Sequence, residues 1–345
     1  MLEQAYSWLC DHRRTCGHNN SVWDVRWDWS KLKTQIQAQL RNGTYLLSPL
    51  KSYFIDGTSV SSWTALDSLV LKALALTLQS LFSIDEYHYC THLKNAGGIH
   101  VAVNQVSEHQ SQYQYILKSD AYHYYESIDH GILLTLLAKQ LSCPVLLNLV
   151  MQYCQRLEIK DGNYYHFTAG IPKGCPLSPL MAALYLKPLD DILSQYGFYV
   201  RFMDDWVCMV KTKYQLRKIV KLTHQLLESL KLKMHPDKTF IGCIKKGFDF
   251  LGIHFGDEPT ISISCREKHC TKLARRYAQG ASKACLGDYI VRWTSWCNSL
   301  LNSALTGIKK SPNLLMAPIL ACYPGRSWAT HGEYQWTTKK TVITE

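Results

Sequence analysis

Residues 199–210 read YVRFMDDWVCMV, two runs of apolar and aromatic residues that meet at Asp204 and Asp205. Apolar runs of this length around a polar pair predict a strand–turn–strand hairpin. Such flanks commit the hairpin to a buried position, yet its tip carries two like charges. Adjacent aspartates at a tip are either a solvated turn or hard oxygen ligands for a divalent cation. The remainder of the chain separates the two readings.

Two further stretches bear on it. Asp120 closes an apolar strand signal, YQYILKSD at 113–120. The loop GIPKGCPLSP, 170–179, is stiffened by three prolines and opened by two glycines. A strand-end aspartate and a tip pair can converge on two divalent ions. Two ions about 3.5–4 Å apart suit in-line phosphoryl transfer, one activating the attacking oxygen and the other stabilising the leaving oxygen. An all-carboxylate donor set favours Mg²⁺.

The surrounding pattern is mixed. SKLKTQIQAQLR (30–41) has helical spacing, with Ser30 placed to cap it. NGTYLLSPLKSYFIDGTSVSSW (42–63) reads as two strands around an Asp56-Gly57 turn. A helix is expected from Asp67 to about Leu81. Residues 113–141 read as a strand, a turn and a helix entered near Ser127. Residues 162–193 read as a strand, the Gly/Pro loop and a helix capped by Ser178, with Pro179 at its first position. Residues 214–232 form an amphipathic helix, FDFLGIHF (248–255) a strand, and the pattern is helical and basic from about 266. There is no internal repeat or low-complexity segment. With few parallel crossover signals, the expected class is α+β.

Composition narrows the partners. The 345-residue chain is 47% hydrophobic and 19% charged, a globular balance, and its net charge is +11. From Arg266 to Glu345, 12 Lys/Arg face 4 Asp/Glu. That asymmetry points to a polyanion, most simply nucleic acid. The 13 cysteines include no CxxC pair, and neither Cys10/Cys16/His18 nor Cys265/His269/Cys270 has a zinc-finger partner pair. Buried free thiols in a reducing, cytoplasmic setting are expected. SLVLKALALTLQSLF (68–82) is interrupted by Lys72 and Gln79 and is too short to span a bilayer, so no membrane partner is expected.

Taken in order, these stretches resemble the palm motifs of reverse transcriptases of the bacterial group II intron-like branch. SDAYHYYESIDH (119–130), GIPKGCPLSPLMAALYLKPLD (170–190), YVRFMDDWVC (199–208), LKLKMHPDKTFI (230–241) and FDFLGIHF resemble five successive motifs, and NGTYLLSP (42–49) resembles the start of the fingers. The resemblance implies a right-hand polymerase: an N-terminal helical extension (1–41), fingers and palm (42–255), and a basic helical thumb with a tail (256–345). It implies that Asp120, Asp204 and Asp205 ligate two Mg²⁺, helped by the Ala121 carbonyl. Lys238 would protonate the leaving pyrophosphate. Tyr125 would be a steric gate favouring deoxynucleotides, while Tyr124 packs. Lys173 and Gly174 would meet the nucleotide, Met203 would lie under the primer end, and Gly252 belongs to the primer grip. Lys272, Arg275 and Arg276 would touch duplex phosphates. Asp129 and His130 would cap and brace a helix.

Two departures stand out. Lys173 replaces the usual Gln, and the fingers hairpin DGTSVSSW lacks the usual triphosphate-binding arginine, leaving Lys51 or Lys72 to substitute. The expected activity is RNA-directed DNA synthesis, with RNA template, RNA–DNA duplex and deoxynucleoside triphosphates as partners. Without diversity-generating, retron or RNase H signatures, the chain resembles stand-alone enzymes of anti-phage defence, which copy a dedicated non-coding RNA. A template-independent, repeat-making or protein-primed polymerase, and a non-catalytic RNA-binding protein on this fold, remain as alternatives. SVWDVRWDW (21–29), with three tryptophans, is expected in a core or in a contact with another protomer, and a homo-oligomer or a partner protein stays open for the chain.

Overall fold

The computed structural model describes residues 1–55, 58–82 and 87–305, and their side chains except at 53–60. The Asp56-Gly57 turn lies outside the described residues. Helices α1 (Leu2–His12), α2 (Val22–Trp27) and α3 (Trp29–Asn42) come first. α3 starts two residues before the start that a Ser30 cap implies, with Asp28 as its N-cap. Trp29, the first residue of the helix, stacks on Tyr6 at 4.2 Å. Strands β1 (Leu50–Ile55) and β2 (Thr58–Ser62) pair antiparallel. Next is α4 (Ala65–Leu81), where the Thr64 hydroxyl accepts from the Asp67 N–H at 3.1 Å. Its stripe of Ala65, Leu69 and Ala73, spaced one turn apart, buries against Ala5, Leu9, Val22 and Val25. Its opposite side, with Leu71, Leu74 and Leu78, joins the main core.

Helix α5 (Gly98–His109) leads into β3 (Tyr115–Asp120). The helix expected near Ser127 is split into α6 (Tyr124–Ser127) and α7 (His130–Ala138). Asp129 caps the second, its carboxylate accepting from the Ile132 N–H at 3.0 Å, and His130 bonds the Gly170 carbonyl at 2.8 Å. Both play the bracing role expected of them. Helix α8 (Pro144–Cys154), strands β4 (Leu157–Lys160) and β5 (Asn163–His166), and helices α9 (Ser178–Tyr185) and α10 (Lys187–Leu193) follow. Ser178 is not a cap. It is the first residue of α9, and its hydroxyl meets the Pro172 carbonyl at 2.5 Å and the Tyr153 hydroxyl at 2.6 Å.

Strands β6 (Phe198–Phe202) and β7 (Asp205–Val210) form the expected hairpin. Helix α11 (Lys213–Ser229) opens with a reciprocal Thr212/Gln215 capping box. Beyond β8 (Phe240–Cys243), FDFLGIHF is two strands, not one: β9 (Phe248–Phe250) and β10 (Ile253–Phe255). Leu251 (φ 49°) and Gly252 (φ 88°) turn the chain between them. Strand β11 (Pro259–Ile261) and helices α12 (Ile263–Ala278) and α13 (Lys283–Leu305) complete the described chain.

The central sheet runs β6-β7-β3-β8, every pairing antiparallel. Because strand side chains alternate, Trp206, Cys208 and Val210 enter one core and Val207 and Met209 the other. The sheet is covered on both faces, which is why both hairpin arms are apolar throughout. A second sheet, β2-β1-β4-β5, includes a parallel β1–β4 pair, and β11-β10-β9 is a third. The architecture is α+β, as expected. Among the described residues no helix is long and apolar enough to cross a membrane.

Candidate active site

The β3–β7 ladder pairs Asp120 with Asp205 directly across neighbouring strands. The Ala121 N–H donates to the Asp204 carbonyl at 3.3 Å, and the His235 N–H donates to the Asp120 carbonyl at 2.9 Å. Three chain segments are thereby tied together around the carboxylates. At the hairpin tip Met203 is in the left-handed region, φ 57°. Its peptide is held on both sides. The Met203 N–H donates to His92 Nδ1 at 2.9 Å, and its carbonyl accepts from the Arg201 guanidinium at 2.8 Å. His92 Nε2 in turn donates to the Pro179 carbonyl at 3.1 Å, linking the tip to the start of α9. Arg201 is fully buried and pairs with Asp190 at 2.5 Å.

Charge at the site is confined rather than dispersed. Asp120 is 2% exposed; its Oδ2 accepts from Lys238, while its Oδ1 is buried with no hydrogen-bond partner. The Lys118 ammonium lies 3.7 Å from Asp205 and donates to the Lys238 carbonyl at 3.0 Å. Burial pushes the Asp205 carboxyl up to about 6, with the charges of Asp120 and Asp204 adding to it against the Lys118 ammonium. Asp204 is raised for the same leading reason. Desolvation rather than mutual repulsion of the adjacent carboxylates is the main cause of both rises. Burial alone would lower the Lys238 ammonium; contact with Asp120 holds it above its ordinary value.

No set of three or more His, Cys, Asp or Glu side chains among the described residues is gathered as a ready-made ion cage. The donor chemistry still suits a hard cation. Three carboxylates border one point of the sheet, and a buried oxygen without a partner is a group that an ion would satisfy.

Beside the carboxylates is a cleft of about 230 Å³, lined by Ala121, Tyr125, Lys173, Asp204 and Lys238 together with Tyr122, His123 and His235. The Tyr125 hydroxyl is pushed up to about 12, first by burial and then by the Asp204 charge. Tyr124 is buried and donates to the Ala182 carbonyl at 2.5 Å, a packing role as expected. The Lys173 ammonium reaches Glu126 at 2.5 Å. Gly174 lines an adjoining cleft of about 390 Å³ with Arg156 and Glu158, and the two clefts share Glu126 and Lys173. The Gly/Pro loop is pinned where it passes α6. The Gly170 and Ile171 N–H groups donate to the carbonyls of Ile128 and Tyr125 at 2.7 and 2.8 Å.

Other expected residues lie elsewhere. Lys72, on α4, lies 5.2 Å from the ring centroid of Trp8 on α1 and outside the cleft. Lys51 is exposed on β1 and does not line the cleft. Gly252 packs near Trp296 and Cys265, and Arg276 lies 4.6 Å from the Tyr289 ring centroid. Lys272 and Arg275 are exposed on α12. His269 is stacked on Trp293 at 3.8 Å, consistent with packing rather than metal binding. Sequence reasoning missed Lys118, His92, Arg201 and His235. Only Lys118 had a local signal, since it lies two residues before Asp120 and so shares its strand face.

Residues 58–255 match the family model described as reverse transcriptase (RNA-dependent DNA polymerase). The chain is similar to protein YkfC of Escherichia coli, 22% identical over 227 residues that cover 54% of this chain and 60% of that protein. It is also similar to the group II intron-encoded protein LtrA of Lactococcus lactis subsp. cremoris, 23% identical over 171 residues, 48% of this chain and 28% of that protein. It therefore spans less than two thirds of the length of either curated relative. Among solved structures, a Cas6-RT-Cas1–Cas2 complex matches at 20% identity and TM-score 0.41, covering 66% of this chain and 40% of that one. Telomerase from Candida albicans with a fragment of telomeric RNA matches at 12% and 0.44, covering 69% and 47%. With the family model spanning 58–255 of 345 residues, the chain belongs to the reverse transcriptase family, the RNA-dependent DNA polymerases.

Proposed function

We propose that this chain is a compact polymerase that copies RNA into DNA, extending a 3′-OH by deoxynucleotides and releasing pyrophosphate. The observation that carries the reading is the buried, unpartnered Asp120 Oδ1 at the ladder position facing Asp205, beside Asp204. Asp120, Asp204 and Asp205 would hold two Mg²⁺, which supply activation of the attacking hydroxyl and stabilisation of the leaving oxygen. Lys238 borders the cleft and carries a proton that it can deliver to departing pyrophosphate. Tyr125 lines the same cleft, where its ring would press on a ribose 2′-OH. Lys173 would exchange its Glu126 partner for an incoming phosphate.

In this reading residues 42–255 are fingers and palm, 256–305 begin the thumb, and the helices of 1–41 are an added N-terminal element. Lys272, Arg275 and Arg276 would meet duplex phosphates. A dedicated non-coding RNA as template, and a role in anti-phage defence, extend the proposal by family analogy alone.

The test is primer extension by the purified chain on an RNA template with labelled deoxy- and ribonucleotides, with Mg²⁺ and after chelation. Incorporation of deoxynucleotides, lost on chelation and in Asp204→Ala/Asp205→Ala, is expected. Incorporation surviving in that double variant would sink the mechanism. Equal use of ribonucleotides would remove the gate role from Tyr125.

A further inference from the structure

Residues 211–246 hold 10 Lys/Arg against only Glu228 and Asp237, a balance of +8. Three of those cations are engaged: Lys238 on Asp120, Lys231 on Asp129, and Lys218 near the Tyr196 ring. Lys213, Arg217, Lys221, Lys245 and Lys246 are exposed, and none forms an ion pair with a carboxylate among the described residues. On α11, Lys213, Arg217 and Lys221 recur every fourth residue, which sets them along one face.

That face borders a groove of about 510 Å³ between α11 and the edge strand β8. Leu216, Val220 and Ile241 form its apolar floor, and Lys213, Arg217 and Lys246 rim it. Ile241 is 44% exposed, and Tyr214, adjacent to Lys213, is 75% exposed. The groove also has a direction. β8 begins two residues after Lys238, and its register against β3 runs from Phe240 opposite Lys118, near the carboxylates, to Cys243 opposite Tyr115. A path along β8 therefore leads away from the cleft.

We infer that the α11–β8 groove is a second nucleic-acid surface, which takes the phosphate backbone of an RNA strand outside the active-site cleft. The inference rests on the polymerase reading and deepens it. Lys213, Arg217 and Lys246 neutralise phosphates, which supplies sequence-independent affinity. Tyr214 offers a ring for base stacking, and the apolar floor accepts base or sugar faces. Lys213 and Arg217 on one side of the groove, Lys246 on the other and the exposed Tyr214 nearby favour RNA over an acidic protein segment.

The test uses the full chain and a labelled oligouridylate, titrated at several salt concentrations. In Lys213→Gln/Arg217→Gln/Lys246→Gln, affinity is expected to fall about tenfold or more, and the salt slope by about 2, since three single-strand phosphate contacts contribute roughly 0.7 each. Melting temperature and extension of a short RNA-templated primer should be unchanged, because these side chains are exposed and remote from the carboxylates. Lys213→Arg/Lys246→Arg should bind as the parent does. Unchanged affinity and slope in the triple variant overturn the inference. So does loss of binding to phosphatidylglycerol vesicles with oligouridylate binding intact, which would assign the groove to a membrane surface. If the parent chain extends no primer but the triple variant still loses RNA, the polymerase reading fails and the groove assignment stands.

Discussion

At the residue scale the site is a compromise between function and stability. Asp205 is held with its carboxyl pushed up to about 6, chiefly by burial. A carboxylate raised above its unfolded value favours the fold most at low pH, and that contribution is lost as pH rises from about 4 through about 6. At neutral pH the ionised group opposes folding. Asp205→Asn is therefore expected to stabilise the metal-free chain by on the order of 1 kcal/mol while abolishing incorporation. Calorimetry at pH 7.5 and at pH 4.5 checks it, because the gain should be much smaller at the lower pH. His92 shows the opposite sign. Burial, then the Arg201 charge, holds its imidazole down at about 4. Its contribution is present above the unfolded value near 6.5 and is lost as pH falls from there through about 4, at no more than about 1.4 kcal/mol per pH unit. His92→Ala leaves the Met203 N–H without its acceptor and should cost about 1–3 kcal/mol. It should also flatten the acid limb of a stability–pH curve.

At the element scale, the elements around the carboxylates are locked by backbone contacts that leave little slack. Gly170 has φ 79°, and a Cβ there would lie 2.9 Å from the Glu126 carbonyl oxygen. Gly170→Ala should cost more than about 1 kcal/mol in stability and displace the loop that carries Lys173 and Gly174. Reduced extension with a raised KM for nucleotide is the expected readout. The hairpin depends on Arg201 in the same way. Its guanidinium joins β6 to Asp190 of α10, to Ala183 of α9 and to the Met203 carbonyl. Arg201→Met strips the partner from a buried Asp190 and should cost about 3–5 kcal/mol, measured by denaturant unfolding.

At the scale of the whole molecule, the N-terminal helices are part of one packed body. Leu9 and Ala5 cover Leu69, Ala65 and Ala73 of α4, whose other side lies in the main core. Burying one leucine is worth about 1.5–3 kcal/mol, so removing residues 1–41 should lower the melting temperature and expose an apolar stripe. Light scattering and thermal melting of the truncated chain test this; an unchanged melt would mean the helices are dispensable. The three tryptophans of residues 21–29 divide accordingly, with the Trp23 Nε1–H donating to the Gly17 carbonyl at 3.1 Å. Trp29 stacks on Tyr6, whereas Trp27 is 89% exposed.

Local pattern alone determined a good deal. The alternation and chain order of YQYILKSD and YVRFMDDWVCMV placed Asp120 at a strand end and Asp204 and Asp205 at a hairpin tip. Side-chain periodicity and turn signals are short-range and can be read directly from neighbours. Asp129 as a cap and Tyr124 as packing were implied instead by the resemblance of SDAYHYYESIDH to a palm motif. Contacts between residues far apart in sequence were not legible. His92 lies 111 residues from Met203, Arg201 depends on Asp190 across two elements, and Lys72 was drawn to Trp8 by an N-terminal segment with no local mark of its destination. FDFLGIHF has a strand's composition throughout, and the left-handed Leu251 and Gly252 that divide it into two strands pack near Trp296 and Cys265, further along the chain. Which groups share a cleft, and which are desolvated enough for their protons to shift, follows from burial by distant chain, and only the tertiary structure decided that.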